Sequence, residues 1–215
     1  MSPTFLIIDS YLLSLWGTEK LLNAQYPDSQ VLAATDAQAA KEMVITEEPH
    51  LVICNLSISL QEGQSPEIEV GLLLLKDLMQ LNSQLNIVVQ GTNIKALIRM
   101  KTYIDAHQGG FTVVDKCFSE VDIFTQIDGA LKGLRYVPAK LRVYPEIQSE
   151  LLQVLELAFN KGLQDKEIAE YLKVSRRTVR NYWLRIQDIF NISPQDGYNM
   201  RIKTEISVRK AGFLG

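Results

Sequence analysis

Cysteine is almost absent from this chain. Cys54 and Cys117 are the only two in 215 residues, too few for a disulfide framework or a cysteine-built zinc site. Both read as small buried apolar residues. Histidine is equally scarce. His50 opens a strand-like run and His107 closes a helix-like one, neither with a cysteine or acid at ligand spacing, so no metal is expected. Long apolar stretches are missing too. Val70–Leu75, the longest candidate, stops at Lys76, well short of the roughly 18 residues a membrane span requires. Met1–Ile8 carries no basic stretch and no small-residue cleavage signal, unlike a secretory leader. A cytoplasmic protein with no membrane contact is expected. No P-loop, GxGxxG, GxSxG or HExxH pattern occurs, which leaves no motif-borne catalytic residue and no cofactor. The chain is not read as an enzyme.

What is present is an ordinary globular composition, 47% hydrophobic and 22% charged, over a length that suits one or two domains. Charge divides unevenly along it. Residues 1–140 carry 10 basic and 16 acidic side chains, residues 141–215 carry 12 and 9, and the whole chain stands at −3. An acidic front and a basic back point to two modules, with polyanion binding placed in the second.

The front alternates short apolar runs with amphipathic stretches. Strands are expected at Phe5–Ile8, Gln30–Ala34, His50–Cys54, Asn86–Val89 and Gly110–Val114. Helices are expected at Tyr11–Tyr26, with apolar Leu12, Leu13, Trp16, Leu21 and Leu22, and at Asp36–Glu47, where Asp36 suits a cap. Further helices are expected at Val70–Leu81, Ile94–Ala106 and Val121–Leu134. Five βα units with continuously apolar strands imply a parallel sheet covered on both faces, an α/β flavodoxin-like (βα)5 domain. Sites in such sheets lie at the strand carboxyl ends, here Asp9, Asn55, Gly91 and Lys116. With strand four between them, strands three and five hold Cys54 and Cys117 too far apart for a disulfide. Arg135–Pro145 has two prolines and no helical period, and reads as a linker. Domains at 1–137 and 148–215, joined by 138–147, follow. Beyond the linker every pattern is helical: Glu146–Asn160, ended by Lys161-Gly162, then Asp165–Leu172, Ser175–Phe190 and Arg201–Ala211.

The most informative string runs from Leu163 to Ile186. Ile168, Ala169 and Leu172 share one helical face, and Ala169 is small enough for a close helix crossing. Lys173-Val174 make a short turn, and Ser175 is a natural N-cap. Val179, Trp183 and Ile186 then face inward at helical spacing. A short helix, a tight turn and a second helix make a helix-turn-helix in a small all-α domain. Arg176, Arg177, Arg180 and Arg185, with Lys173 just before them, form a cationic face without an intervening acid. Thr178, Asn181 and Tyr182 interleave as hydrogen-bonding groups. Such a helix suits the major groove of double-stranded DNA. Arg177, Arg180 and Tyr182 are assigned to base edges or the groove. Lys166, Lys173, Arg176, Thr178 and Arg185 are assigned to phosphates, which position without specifying. The competing reading is a solvated basic helix in a protein-binding bundle.

Lys166-Glu-Ile-Ala169, Val174-Ser175 and Thr178-Val-Arg-Asn-Tyr182 resemble the LuxR-type helix-turn-helix of the NarL/FixJ response regulators, over Gly162–Ile192. The family's Leu-Thr-x-Arg-Glu opening is replaced here by Ile147-Gln-Ser-Glu-Leu-Leu152. Extra residues, Ser193–Gly197 among them, lie between Ile192 and Lys203. The resemblance implies a DNA-binding transcriptional regulator that dimerises through its last helix. Ile202, Ile206 and Phe213 would supply that surface, and equally suit ordinary core. A homodimer is also expected because one helix in one groove seldom gives enough specificity.

Five βα units ahead of this helix-turn-helix resemble a receiver domain, over residues 4–135. The resemblance implies a phosphorylation pocket, and its positions are degenerate here. The acidic pair falls on Asp9-Ser10, the phosphoacceptor on Asn55, and the hydroxyl on Gly91, with Thr92 one residue along. Lys116 is kept, and Phe111 stands at the switch position. An amide forms no acyl phosphate, and one acid holds Mg²⁺ poorly. The expected protein is an atypical response regulator acting without aspartyl phosphorylation, a pseudo-receiver in which Lys116 pairs with Asp9 or donates to Asn55. Two alternatives stay open. One is an adaptor whose helical domain resembles a sigma-factor region and touches RNA polymerase or another protein partner. The other is a small-molecule sensor using the pocket around Asp9, Asn55 and Lys116. The loop Ser57–Glu69, longer than the family norm, carries Glu62, Glu67 and Glu69. It is expected to be mobile and solvated, with a partner or cation site as the other reading.

Overall fold

Strands without polar alternation need cover on both faces, and in the computed structural model helices supply it. The structure describes residues 2–115, 119–138, 147–193 and 199–214. The chain divides into two units, Met1–Pro138 and Ala139–Gly215.

The first unit runs β1 (Thr4–Ile8), α1 (Leu12–Gln25), β2 (Gln30–Ala34), α2 (Ala37–Glu47), β3 (Leu51–Asn55), α3 (Ile68–Leu81) and β4 (Asn86–Gly91). A 3-10 helix (Ile94–Met100) leads into α4 (Lys101–Ala106), followed by β5 (Phe111–Asp115), α5 (Glu120–Leu131) and β6 (Arg135–Tyr136). One sheet forms in the order β2-β1-β3-β4-β5-β6, with every pair parallel. Phe5, Leu6, Ile7, Ile8, Leu51, Val52, Ile87, Val89 and Phe111 are fully buried. Each such side chain contributes about 1.5–3 kcal/mol. Gly71 brings α3 against the end of β3, since a Cβ there would fall 1.9 Å from the Leu56 carbonyl oxygen.

Three elements differ from the sequence reading. Of the apolar residues expected in α1, Leu22 is buried, but Leu12, Leu13 and Trp16 are exposed, and Leu15 is buried in their place. Ile94–Ala106 is not one α-helix. Ile94, Leu97 and Met100 recur every three residues and are all buried, the spacing that a 3-10 helix stacks on one side. The linker reading also begins too early, because Arg135 and Tyr136 pair with Phe111 and Thr112 as a sixth strand.

The second unit is helical. α6 (Ser149–Leu155) is prolonged by a π-helical turn (Glu156–Asn160), then come α7 (Asp165–Tyr171), α8 (Arg176–Ile189) and α9 (Met200–Lys210). Leu151, Val154, Ile168, Val179, Ile186 and Val208 form its core, none more than 1% exposed. Residues 139–146 of the expected linker, and 194–197 of the expected insertion, lie outside the described residues.

Candidate functional site

The α7–α8 corner is closed by backbone hydrogen bonds. The Lys173 N–H donates to the Glu170 carbonyl (3.2 Å) and the Val174 N–H to the Ala169 carbonyl (2.9 Å), the paired closure of a Schellman turn. Lys173 has a left-handed φ of 56° there, where glycine is usual. Ser175 starts α8: its Oγ accepts from the Thr178 N–H (3.1 Å) and lies 2.9 Å from the Thr178 hydroxyl. Buried Val179, Trp183 and Ile186 fasten α8 inward. Asp165, at the start of α7, accepts from Trp183 Nε1 (3.0 Å) and from Arg201 (2.6 Å). The Arg201 guanidinium stacks 3.6 Å over the Trp183 ring. One carboxylate thus clasps α7, α8 and α9.

The opposite face of α8 is turned to solvent. Lys166, Lys173, Arg176, Arg177, Arg180, Asn181 and Arg185 are exposed, and Thr178 and Tyr182 are half-buried. Among the described residues, Lys166, Arg176, Arg177 and Arg180 meet no carboxylate. Arg185 donates to Gln148 Oε1 at 3.1 Å. The sequence-assigned cations of the α7–α8 corner are therefore all solvent-exposed, with the Thr178 hydroxyl tied to the cap.

At the carboxyl ends of the strands a second cluster forms. Asp9 is fully buried. Its Oδ1 accepts from the Tyr11 N–H (2.9 Å), and its Oδ2 from the Ser14 hydroxyl (2.6 Å) and Asn55 Nδ2 (3.0 Å). Asn55, 2% exposed, accepts on Oδ1 from the Ser57 N–H at 3.1 Å. The Ser10 hydroxyl turns aside: it donates to the Thr35 carbonyl (2.7 Å) and accepts from the Ser59 N–H (2.9 Å). Gly91 is buried at the end of β4, and Thr92 is exposed. Lys116 lies outside the described residues, as does Cys117. A cleft of about 350 Å³ opens beside Asn55, lined also by Tyr11, Leu56, Ser57, Ile68, Gly91, Thr92 and Asn93. Asp9 is not part of its lining.

The 57–69 loop is solvated only in part. Ile58 and Ser59 are buried. Ile58 and Glu67 exchange backbone hydrogen bonds (3.3 and 3.0 Å), and the Ala37 N–H donates to the Ser59 carbonyl (2.9 Å). Only the tip, residues 60–65, is exposed throughout. Glu62 belongs to that tip, Glu67 is exposed, and Glu69 grips Arg99 in a two-pronged ion pair at 2.9 and 3.0 Å. Among the described residues, no three His, Cys, Asp or Glu side chains gather as metal ligands.

Comparison with known proteins adds to this geometry. The family model described as ECF sigma factor matches residues 131–191. No curated protein matches the sequence. Solved structures match nearly end to end. RcsB from Salmonella enterica serovar Typhimurium, bound to promoter rprA with the phosphomimetic BeF3⁻, is 20% identical with a TM-score of 0.61, covering 96% of this chain and 98% of that one. Two RcsB dimers bound to two parallel DNAs give 19% identity and a TM-score of 0.59, over 97% and 98%. A complex of the two-component response regulator RcsB with DNA gives 19% and 0.60, again over 97% and 98%. This chain has the response-regulator fold.

Within that fold, Phe111 does not sit at the pocket as a switch aromatic. It is the first residue of β5, in register with Ile87 and Arg135 at the amino end of the strand, and fully buried. Cys54 is buried beside the pocket. Burial, with Asp9 adding to it, pushes its thiol up to about 12, so it stays an inert thiol at neutral pH. The sequence reading used Asp165 only as a helix-start acid and missed its clasp. Trp183 was the available signal, since a buried indole N–H needs an acceptor. Leu184, exposed amid the cations of α8, was also missed, because a hydrophobic residue at helical spacing is read first as core.

Proposed function

We infer that this chain is a sequence-specific, DNA-binding transcriptional regulator, an atypical response regulator whose receiver-like unit acts without aspartyl phosphorylation. One observation carries the reading. A capped, inward-fastened helix presents Arg176, Arg177, Arg180 and Arg185 to solvent, and no described carboxylate competes for the first three. Arginine pairs bidentately with guanine edges in the major groove, and further cations neutralise phosphates with release of counterions. RcsB, which shares the fold at low identity, is seen as dimers on DNA, and this supports duplex DNA and a homodimer as the working state.

The strand-end cluster supports the second half of the reading. Asn55 stands where a carboxylate nucleophile would be required, and an amide forms no acyl phosphate. Ser10 replaces an acid and spends its hydroxyl on Thr35 and Ser59. Asp9 is the one carboxylate left among Asp9, Ser10 and Asn55, and both its oxygens already accept from Tyr11, Ser14 and Asn55. A Mg²⁺ ion needs more oxygen ligands than that.

Two measurements test the proposal. Incubation with a small phosphodonor and Mg²⁺ is expected to leave the intact mass unchanged, and a one-phosphate gain stable only in mild acid overturns the non-phosphorylated reading. In duplex selection followed by titration, Arg180→Ala is expected to weaken binding by about 1–3 kcal/mol and relax one base position. Equal loss on every duplex moves Arg180 to the phosphate-contacting set. The sigma-factor match over 131–191 favours a second reading, a helical unit that contacts RNA polymerase. Salt-sensitive binding of the full chain to duplex DNA without polymerase separates the two.

A further inference from the structure

The outward pole of α8 sets two uncharged side chains, Asn181 and Leu184, among cations. Inward-facing Val179, Trp183 and Ile186 are 0%, 6% and 1% exposed. At 3.6 residues per turn, the positions opposite them are Arg177, Asn181, Leu184 and Asp188, spaced i, i+4, i+7 and i+11. All four are exposed. Arg176 and Arg180 flank the stripe on one side and Arg185 on the other. Tyr182, half-buried, lies toward the inward side. Leu184 is 55% exposed, an isobutyl group between Arg180 and Arg185 on the outer side of the helix. Exposed leucines alone are ordinary. This one shares its stripe with a carboxamide and lies between arginines on both flanks.

We propose that Asn181 and Leu184 read an A·T-containing step in the major groove, Asn181 on the adenine edge and Leu184 on the thymine 5-methyl group. The assignment rests on the DNA-binding reading above. A side-chain amide matches the paired acceptor and donor of adenine N7 and N6, and an apolar group matches the thymine methyl. Residues three apart on a helix lie about 5–6 Å from one another, and stacked base pairs about 3.4 Å. The two side chains therefore address the same pair or adjacent pairs. Arg176 and Arg185, farther round the helix from the stripe, suit the groove walls, where phosphates lie, while Arg180 beside the stripe keeps its assignment to a base edge. Asp188 ends the stripe with a charge that phosphates repel, so α8 enters the groove by its first three turns.

The test uses the full chain on duplexes enriched from a random library, with affinity read by fluorescence anisotropy. Each thymine is replaced in turn by uracil, which removes only the methyl, and each adenine by 7-deazaadenine, which removes only N7. At one thymine, uracil is expected to weaken binding about threefold to fivefold, and Leu184→Ala is expected to abolish that difference while Leu184→Met keeps it. At an adenine in the same or the adjacent pair, 7-deazaadenine is expected to weaken binding about fivefold or more, and Asn181→Ala to abolish that difference. Neither variant should change the salt dependence, because neither side chain contacts phosphate. Uracil tolerated at every thymine, or discrimination that survives Leu184→Ala, overturns the assignment and leaves the DNA-binding reading standing. Enrichment of no duplex at all overturns both.

Discussion

A carboxamide at position 55 donates to Asp9 and accepts from Ser57 at once, which no carboxylate does in its ionised form. Asn55→Asp would turn the 3.0 Å hydrogen bond to Asp9 into two facing negative charges. The variant is expected to lose about 1–3 kcal/mol at neutral pH. Urea unfolding at pH 7.5 checks this, and a variant as stable as the parent there refutes it. His107 is a residue with a pH signature. It is 2% exposed, donates from Nε2 to the Leu85 carbonyl at 2.7 Å, and has no described partner on Nδ1. Burial lowers its pKa, against the Leu85 hydrogen bond, and Arg135 lowers it further. The unfolded chain then binds this proton more readily than the folded one. Stability from this source is level above the ordinary histidine value of about 6.5 and falls as pH drops below it, until the folded-state pKa is passed. His107→Gln should flatten that slope between pH 7.5 and 5.5 in urea titrations, and an unchanged slope rejects the account. Asp9, Ser10 and Asn55 were legible in the sequence because they end apolar runs. The bonds of Ser10 were not, because Thr35 and Ser59 lie 25 and 49 residues away.

Regular elements follow from apolar spacing where one face is buried, and fail to follow where backbone geometry decides. The parallel strands and α8 are read directly, since continuous apolar runs and a 3.6-residue period have few other uses. α1 misleads because Leu12, Leu13 and Trp16 share a period with no buried partner. β6 has two residues, too few for any alternation. Helix ends are the other blind spot. α7, α8 and α9 close with the same pair of backbone bonds, with Lys173, Asn191 and Gly212 at the left-handed position. Of these, only Gly212 is a usual signal. A left-handed lysine costs about 1 kcal/mol or more relative to a compatible residue. Lys173→Gly is expected to raise the melting temperature of the helical unit, by the equivalent of up to about 1 kcal/mol after the added unfolded-chain entropy. The same substitution removes a cation that the proposed function assigns to phosphate, so on that proposal the slope of log affinity against log salt should fall by about 1. Calorimetry and anisotropy on one protein sample check both directions, and a destabilised variant refutes the strain argument.

The uneven charge of the whole chain makes two modules legible, but charge alone says nothing of assembly, which depends on where apolar surface is left over. In α9 and the turn after it the three candidates for a dimer surface separate. Phe213 is core, 3% exposed with its ring 5.3 Å from Phe190. Ile202 and Ile206 are 56% and 50% exposed, one turn apart on the same side of the helix. Two protomers pairing there would set their α8 helices on half-sites one DNA turn apart, about 34–36 Å centre to centre. Charged side chains in place of both isoleucines would leave each protomer's core intact and oppose the pairing. The double variant Ile202→Glu, Ile206→Glu is therefore expected to keep its melting temperature and its affinity for a single half-site. It should lose the steep isotherm on a two-half-site duplex, and the dimer–DNA species should disappear in sedimentation. If the variant retains that species at parental concentrations, α9 is not the dimer surface. The exposed Leu12, Leu13 and Trp16 of α1 are then the next apolar surface to test, and Trp16→Glu repeats the same pair of measurements there.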